Sequence, residues 1–328
     1  MDTPLLQVKD LSVSFRTERG LITPVHGVSY CVSKGEIMGI VGESGCGKSV
    51  SAYSVLGLLK GGGRVTGGEI LFDGEDILAL SKAELTAFRG SQVSMIFQNP
   101  LSCLNPVYTI GRQLTEAYLA HREHADRAEA KARAIEMLER VGITDAPRRM
   151  RQYPFELSGG MRQRVMIAIA LMCQPRLLIA DEPTTALDVT IQAQILRLLR
   201  QFRDETGMAI VFITHNMGVI SEICDRVSVM YAGTVVEQGA VDEVFYQAAH
   251  PYTTGLLNAI PRVDAGSYKR LIPIEGTPVE LYAPPDGCPF HPRCPRCMDR
   301  CRREAPPERE LSPGHTVRCW LQEEGQHD

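Results

Sequence analysis

Gly42-Glu43-Ser44-Gly45-Cys46-Gly47-Lys48-Ser49 is the stretch that decides the fold class of this 328-residue chain. It matches G-x-x-x-x-G-K-[ST], follows an apolar run at 37–41 that predicts a buried strand, and precedes a helix-compatible segment at 50–59. This context predicts a phosphate site, because the glycines let backbone N–H groups curl around phosphate oxygens and the helix N-terminus adds its positive dipole end. The alternative is an ordinary glycine-rich turn before a helix.

Two side chains of this loop have distinct roles in such a site. The Lys48 ammonium can reach the β- and γ-phosphates, and the Ser49 hydroxyl can bind Mg²⁺. Cys46 lies near a helix N-terminus and Lys48, a setting that lowers thiol pKa values. Two interpretations of Cys46 are therefore open: a redox switch, or simply a small residue that the loop tolerates. The candidate phosphate and Mg²⁺ ligands of the loop are Gly42, Ser44, Gly45, Cys46, Gly47, Lys48, Ser49 and Val50.

The composition places limits on the function. The chain has 44% hydrophobic residues, a net charge of -4 and no apolar run long enough to cross a bilayer. The charge argues against a general nucleic-acid role and against a polybasic membrane anchor. The first four residues show neither the basic region nor the apolar core of a secretory signal. If the protein works at a membrane, we expect another subunit to hold it there.

The pattern along the chain predicts an α/β fold. Partial alternation over 5–41 and at 68–72 predicts strands, and Ser81 with Glu84 predicts a capping box at the start of a short helix. Residues 100–157 predict a mostly helical insert. Strand-like runs at 93–97, 177–180, 209–214 and 227–231 alternate with helical segments at 160–173, 191–203 and 217–224, which indicates a largely parallel sheet covered on both faces.

Two further stretches carry chemistry. Residues 176–182 form an apolar run that ends in Asp181, placed to bind Mg²⁺, and Glu182, which can polarise an attacking water. The stretch Leu157-Ser158-Gly159-Gly160 predicts an N-cap and a helix start that can bind an anion, although on its own it equally suits an ordinary capped helix.

In this order the motifs resemble the nucleotide-binding subunits of ATP-binding-cassette (ABC) transporters. The resemblance covers residues 5–240 and rests on the phosphate loop, Gln98, residues 157–160, residues 178–182, Leu187-Asp188 and Thr214-His215. Asn216 is a departure, since the family often has Asp there, and it affects only the local hydrogen bonding of His215.

The resemblance implies roles for individual residues. Two cassettes would meet head to tail, with Ser158, Gly159 and Gly160 capping ATP on the partner's phosphate loop. Gln98 would couple Mg²⁺ and water to the transmembrane subunits, His215 would contact the γ-phosphate, and Asp188 would link the two sites. Phe15 is the candidate adenine-stacking residue, against the alternative of a core phenylalanine. The candidate catalytic residues are Glu182, His215, Gln98 and Lys48, and the candidate Mg²⁺ ligands are Ser49, Gln98 and Asp181.

The C-terminal third of the chain indicates a subfamily and a candidate metal site formed by cysteines. Five of the ten cysteines, at positions 288, 294, 297, 301 and 319, lie in a Pro- and Arg-rich stretch that predicts either a tail or a small lobe held by metal. Residues 250–261 and the Cys288 to Cys319 pattern resemble di- and oligopeptide permease ATPases, a subfamily in which four such cysteines are associated with an iron–sulfur cluster. By chemistry alone, four thiolates fit either zinc or [4Fe–4S]. Cys288, Cys294, Cys301 and Cys319 are the expected ligands, and Cys297 is an extra.

These observations lead to one set of expectations. The fold should be a RecA-like P-loop NTPase core with an antiparallel β subdomain (1–99 and 158–245), a helical subdomain (100–157) and a C-terminal extension (246–328) ending in a small cysteine-rich lobe. The resemblance implies ATP- and Mg²⁺-dependent hydrolysis that powers di- or oligopeptide import at the cytoplasmic face of a bacterial inner membrane. It also implies a second ATPase subunit in a heterodimer, two permease subunits and a solute-binding protein, with no nucleic acid.

Two alternatives remain open on the sequence alone. One is an importer for nickel, glutathione or a D-amino-acid dipeptide, because no residue here touches substrate. The other is a non-transport ABC ATPase of DNA repair or translation, which the short insert and the single cassette disfavour.

Overall fold

The structure is a computed structural model that describes residues 3–99, 103–122, 124–185, 187–260, 273–280, 282 and 284–323. The strands in chain order are β1 (Leu6–Thr17), β2 (Gly20–Val32), β3 (Ile37–Val41), β4 (Arg64–Phe72), β5 (Glu75–Asp76), β6 (Val93–Ile96), β7 (Leu177–Asp181), β8 (Ala209–Thr214), β9 (Arg226–Tyr231), β10 (Thr234–Ala240), β11 (Arg309–Ser312) and β12 (His315–Val317).

The α-helices alternate with these strands. They are α1 (Lys48–Val55), α2 (Lys82–Ser91), α3 (Ile110–Leu119), α4 (Arg127–Arg140), α5 (Ala146–Arg149), α6 (Gly159–Leu171), α7 (Val189–Thr206), α8 (Met217–Ile223), α9 (Val241–Tyr246) and α10 (Pro251–Asn258). Short 3-10 helices lie at Ile77–Ala79, Pro154–Glu156, His291–Arg293, Asp299–Arg302 and Trp320–Gln322. The described residues fall into two compact units, the first within Met1–Val32, Ile37–Leu78 and Ile213–Asp328, the second within Ser33–Glu36 and Ala79–Phe212.

The first unit contains an antiparallel sheet in the order β2-β1-β4-β5. Leu6 pairs with Val32 on one side and with Phe72 on the other, and the residues of β1 alternate between buried and partly exposed positions. This period of two is what buries one face of a sheet and leaves the other open. It confirms the strands predicted in the N-terminal third.

A second set of strands in the first unit has the order β11-β12-β10-β9-β3. β3 pairs with β9 in parallel, whereas β9–β10, β10–β12 and β11–β12 are antiparallel. All five residues of β3 are buried, as an apolar strand covered on both faces requires. The expected largely parallel sheet is therefore mixed here, because three short strands after Tyr231 extend it with antiparallel pairs.

The core of the first unit is completed by C-terminal aromatic residues. Phe290 is 1% exposed and Trp320 is 6% exposed, and both belong to the buried cluster that includes Val41, Tyr231 and Tyr252. The Phe290 ring lies 5.2 Å from the Tyr231 ring, edge to face, and 5.4 Å from the Tyr252 ring. Phe290 and Trp320 are thus buried in one core with residues of β3, β9 and α10 of the same unit.

The second unit has strands in the order β8-β7-β6, with β6 and β7 parallel, and carries the helices from α2 to α7. Residues at helical spacing bury one side of α4, namely Ala130, Ala134, Met137 and Leu138. The predicted capping box is present: Ser81 Oγ accepts from Glu84 N–H and the Glu84 carboxylate accepts from Ser81 N–H.

Candidate functional site

The phosphate loop connects β3 to α1 in the first unit, as the sequence predicts. Gly47 has φ +100°, and a Cβ there would lie 2.2 Å from Pro24 O. Gly42 has the same kind of constraint, since its Cβ would lie 2.2 Å from Met230 O. Both positions therefore require glycine for close approach of the backbone as well as for its conformation.

Lys48 is enclosed by the loop that precedes it. Its ammonium donates to Gly42 O at 2.8 Å and to Glu43 O at 2.9 Å, and the residue is 5% exposed. A lysine held by two carbonyls of a glycine loop presents its charge at a fixed point. This geometry fits a bound triphosphate, for which the loop also offers the exposed residues Ser44 and Gly45 and the partly exposed residues Ser49 and Val50.

The thiol of Cys46 differs from the sequence expectation. Burial raises the pKa of Cys46, and this effect outweighs the opposing charge of Lys48, whose Nζ lies 3.8 Å from the sulfur. The expected lowering of the thiol pKa is therefore wrong, because the side chain points into the protein and loses its hydration. The simpler account of Cys46 as a small buried residue fits this environment.

Phe15 lies near the end of β1 and is half-buried. A Cβ placed on Gly63 would lie 2.5 Å from Cε1 of the Phe15 ring, so the ring covers the backbone of this glycine. One face of the ring is thus packed on the protein. Its assignment to adenine stacking stays a prediction.

In the second unit β7 ends at the two predicted carboxylates. Asp181 is 1% exposed at the last position of the strand. Glu182 follows with φ +48°, a left-handed conformation that is strained for a non-glycine residue and is typical of functional sites. Gln98 Nε2 donates to Glu182 Oε2 at 2.8 Å and Thr185 Oγ1 donates to the same oxygen at 2.9 Å. The structure thus brings Gln98 to the carboxylate that the sequence nominates as catalytic.

The Leu157–Gly160 stretch forms the expected helix start. Ser158 Oγ accepts from Met161 N–H at 3.4 Å at the N-terminus of α6, and Ser158 and Gly159 are exposed. Gln163 on the same helix is buried and donates to Pro183 O at 2.5 Å, which fixes α6 to the turn after Glu182. Sequence reasoning missed Gln163; a glutamine on the buried side of a helix was the available signal.

Asp188 and Asn216 both act as helix caps. Asp188 Oδ1 accepts from Ile191 N–H at 2.9 Å at the start of α7. Asn216 Oδ1 accepts from Gly218 N–H at 2.9 Å, and Asn216 N–H donates to Thr214 Oγ1 at 3.1 Å. Asparagine therefore satisfies the helix N-terminus that follows the exposed His215 as an aspartate would. Lys48, Ser49 and His215 belong to the first unit, and Gln98, Ser158, Asp181, Glu182 and Asp188 belong to the second.

Four of the C-terminal cysteines line one small cavity. Cys288, Cys294, Cys301 and Cys319 face it together with His250, Phe290 and Trp320, and its volume is about 10 Å³. Burial raises the pKa of Cys288 to about 12 and that of Cys319 to about 11, and the neighbouring cysteines add to both shifts. The Cys297 thiol lies 3.5 Å from Met298 O and is not part of the cavity wall.

As the side chains stand, no group of three or more His, Cys, Asp or Glu residues within the described ranges is placed to hold a metal ion. The cavity has room for about one water molecule. The four cysteines are nevertheless the kind of donor set that binds a metal through thiolates. A helix long and apolar enough to cross a membrane is likewise absent from the described part of the chain.

Known proteins are similar to this chain in both its cassette and its C-terminal region. A family model described as "ABC transporter" matches residues 25–185, and one described as "Oligopeptide/dipeptide transporter, C-terminal region" matches residues 236–301. The dipeptide transport ATP-binding protein DppD of Bacillus subtilis is 50% identical over 321 residues, which are 98% of this chain and 95% of DppD. The oligopeptide transport ATP-binding protein OppD of Escherichia coli is 50% identical over 96% of this chain and 93% of its own length.

Solved structures agree on the cassette. The dimeric structure of MJ0796, a bacterial ABC transporter cassette, matches with a TM-score of 0.65 and 28% identity, over 72% of this chain and 98% of that one. The cbiO1 protein of Clostridium perfringens, described as part of an ABC transporter complex, matches with a TM-score of 0.64 and 30% identity, over 75% of this chain and 92% of its own.

Proposed function

The chain belongs to the family of ATP-binding subunits of dipeptide and oligopeptide ABC transporters, and from this membership we infer that it hydrolyses ATP to power the import of di- or oligopeptides. The observation that carries this conclusion is 50% identity to a dipeptide transport ATP-binding protein over 98% of the chain. The match of residues 236–301 to the oligopeptide and dipeptide transporter C-terminal region supports the same substrate class independently of the cassette.

The phosphate loop and Lys48 hold the triphosphate in the proposed mechanism. The loop backbone and the enclosed Lys48 ammonium bind the phosphate oxygens, and Phe15 packs against the adenine ring. Ser49, Gln98 and Asp181 are the residues that would hold Mg²⁺, which offsets charge on the phosphates when bound. The remaining contacts of the loop come from Gly42, Ser44, Gly45, Cys46, Gly47 and Val50.

Glu182 accepts a proton from the attacking water in this proposal. Gln98 orients the Glu182 carboxylate through the 2.8 Å hydrogen bond between them. His215, exposed after β8, contacts the γ-phosphate. Ser158, Gly159 and Gly160 cap the nucleotide of a second cassette, to which Asp188 provides a link. The dimeric cassette structure of MJ0796 and the exposure of Ser158 and Gly159 support this arrangement in trans.

We place the protein at the cytoplasmic face of a bacterial inner membrane, bound to two permease subunits that receive peptide from a solute-binding protein. The second cassette is a different ATPase subunit, so the assembly is a heterodimer of cassettes. The proposed domain division is the ATPase core at 1–99 and 158–245, the helical subdomain at 100–157 and the C-terminal extension at 246–328.

The C-terminal extension includes a cysteine-rich lobe in this proposal, in which Cys288, Cys294, Cys301 and Cys319 bind a [4Fe–4S] cluster, with zinc as the alternative metal. The support is that these four thiols face one cavity whereas Cys297 does not. Metal ligation by these four cysteines, three of which are buried, would add to the stability of residues 285–320, because metal binding free energy is folding free energy in such segments.

Growth on peptides tests the transport function. A strain that lacks the gene for this chain and requires one amino acid is supplied with that amino acid only as a dipeptide or tripeptide. We expect growth with the wild-type gene and none with Lys48→Ala. Normal peptide-dependent growth of the deletion strain, combined with loss of nickel, glutathione or D-amino-acid dipeptide uptake, would assign the importer to that other solute.

A further inference from the structure

The C-terminal extension reaches the phosphate loop through one arginine. Arg293 Nη1 donates to Glu43 Oε2 at 2.6 Å and Arg293 Nη2 donates to Glu43 Oε1 at 3.0 Å. Glu43 is the second residue of the phosphate loop, 250 positions away from Arg293 in sequence. This is a bidentate pair of guanidinium and carboxylate, the geometry with the strongest and most directional contact between these groups.

The guanidinium is fully engaged. Besides the two bonds to Glu43, Nε donates to Glu275 O at 2.9 Å, Nη2 to Ile274 O at 3.3 Å and Nη1 to Tyr231 Oη at 3.4 Å. All five N–H groups of an arginine therefore have an acceptor. The Arg293 side chain is 4% exposed and that of Glu43 is 27% exposed, so the pair lies at the wall of the loop and is shielded from solvent on the arginine side.

Glu43 is held at three points. Its carboxylate binds Arg293, its N–H donates to Tyr252 Oη at 2.9 Å and its carbonyl accepts from the Lys48 ammonium at 2.9 Å. Tyr252 belongs to α10, which is also part of the C-terminal region. Two side chains from this region thus fix the backbone segment that positions the phosphate-binding lysine.

The pair also has an electrostatic consequence. A carboxylate inside a phosphate-binding loop repels the triphosphate, and the repulsion is strong where water is partly excluded. Arg293 compensates this charge without occupying the loop, because it approaches from the protein side. The compensation holds at any working pH, because an arginine side chain in a protein stays protonated.

We propose that Arg293 is a positioning residue of the nucleotide site: it holds Glu43 and cancels its charge, so that the phosphate loop accepts ATP. The inference rests on the proposed nucleotide site. The same residue lies next to the cysteine cavity, because Arg293 is the last residue of the 3-10 helix His291–Arg293 and Cys294 follows it. Phe290 of the cavity wall packs on both Tyr231 and Tyr252.

The experiment is a double-mutant cycle on the full chain, with ATP affinity measured by calorimetry and thermal stability measured alongside. We expect Arg293→Met to weaken ATP binding roughly tenfold, equivalent to ~1.4 kcal/mol. The double variant Arg293→Met, Glu43→Gln should bind ATP more tightly than Arg293→Met alone, by about threefold or more. A purely structural role of Arg293 predicts that any recovery of ATP affinity in the double variant is matched by a recovery of thermal stability, because Glu43→Gln also removes the unpaired charge. Recovered affinity without recovered thermal stability therefore identifies the positioning role.

Controls separate the possible failures. Arg302→Met changes an exposed arginine of the same segment and should leave ATP affinity unchanged. If Arg293→Met does not fold, Arg293→Lys, which keeps the charge but not the fork, should still bind ATP about threefold more weakly than the wild type. Wild-type affinity in Arg293→Met or Arg293→Lys, or no recovery in the double variant, would overturn the inference. Absence of ATP binding by the wild-type chain would instead contradict the proposed function.

Discussion

Gln98 donates a 2.8 Å hydrogen bond to Glu182, 84 positions later in the chain. The two residues follow neighbouring parallel strands, β6 and β7, and their side chains meet beyond the strand ends. This edge of a parallel sheet is where α/β proteins place their reactive groups. The strained backbone of Glu182 and its second hydrogen bond from Thr185 fix the carboxylate in one orientation.

Glu182→Gln should retain ATP binding and lose turnover. The amide keeps the size of the carboxylate but cannot accept a proton from water, and general-base roles are typically worth about 10²–10⁴-fold in rate. ATP affinity of the full chain and phosphate release by the assembled complex are the two measurements. Glu139→Gln, at an exposed position of α4, is the matched control. Unchanged phosphate release in Glu182→Gln would refute the catalytic assignment.

Ser158→Ala should impair hydrolysis by the complex while the isolated chain binds ATP with nearly wild-type affinity. Ser158 caps α6 and belongs to the second unit, whereas Lys48 belongs to the first. Removing the capping hydroxyl should also lower the free energy of unfolding by about 1 kcal/mol, as is typical of helix N-caps. Calorimetry on the isolated chain, beside ATPase assays on the complex, provides the comparison. The arrangement in trans is wrong if Ser158→Ala reduces the affinity of the isolated chain as severely as Lys48→Ala does.

The contact between His315 and Glu237 predicts a pH dependence of stability. His315 Nε2 lies 2.9 Å from Glu237 Oε1, and the two side chains are 2% and 0% exposed. The hydrogen bond to Glu237 raises the pKa of His315 above 6.5. A raised histidine pKa contributes stability that is fully present below the unfolded-state pKa and is lost as pH rises through the folded-state value.

Chemical denaturation at several pH values from about 6 to 9 checks this effect. The free energy of unfolding of the wild type should fall as pH increases above 6.5, and His315→Gln should remove part of this decline. His26→Gln, at an exposed position of β2, serves as the control. Parallel pH profiles for the wild type and His315→Gln would show that the ion pair makes no titrating contribution.

The cysteine cavity predicts different outcomes for two substitutions. Cys301 is buried at the cavity wall, whereas the Cys297 thiol lies outside it, so Cys301→Ser should lose bound metal and Cys297→Ser should keep it. The protein is purified without oxygen, and iron, acid-labile sulfide and zinc are measured. About four irons per chain with sulfide would support the cluster. Stoichiometric zinc without sulfide would assign the other metal, and metal loss in Cys297→Ser alone would show that the ligand set is wrong.

The sequence was sufficient for the parts of the fold with strong local patterns. The buried run at β3, the capping box at Ser81 and the helical spacing of α4 each follow from residues close together in the chain, and the structure confirms all three. The motifs between Gly42 and His215 likewise predicted the family, because several of them occur in the order that is specific to it.

The remaining features depend on contacts between distant residues. β12 has three residues, too few to show a period, and it forms by pairing with β10, where Glu237 faces Val317, and with β11. The bidentate contact between Glu43 and Arg293 spans 250 positions and has no local pattern at either end. The raised pKa of Cys46 depends on burial that its neighbours in sequence do not reveal.

Phosphate release by the reconstituted transporter is the most direct test of whether this chain couples ATP hydrolysis to peptide import. The chain is assembled in proteoliposomes with the permease subunits and the second ATPase subunit of the proposed complex, and the solute-binding protein is added with or without a dipeptide. The peptide-loaded binding protein should accelerate ATP hydrolysis by the wild-type complex, and Glu182→Gln should abolish the accelerated rate. Hydrolysis that does not respond to peptide, or that persists at the wild-type rate in Glu182→Gln, would contradict this prediction.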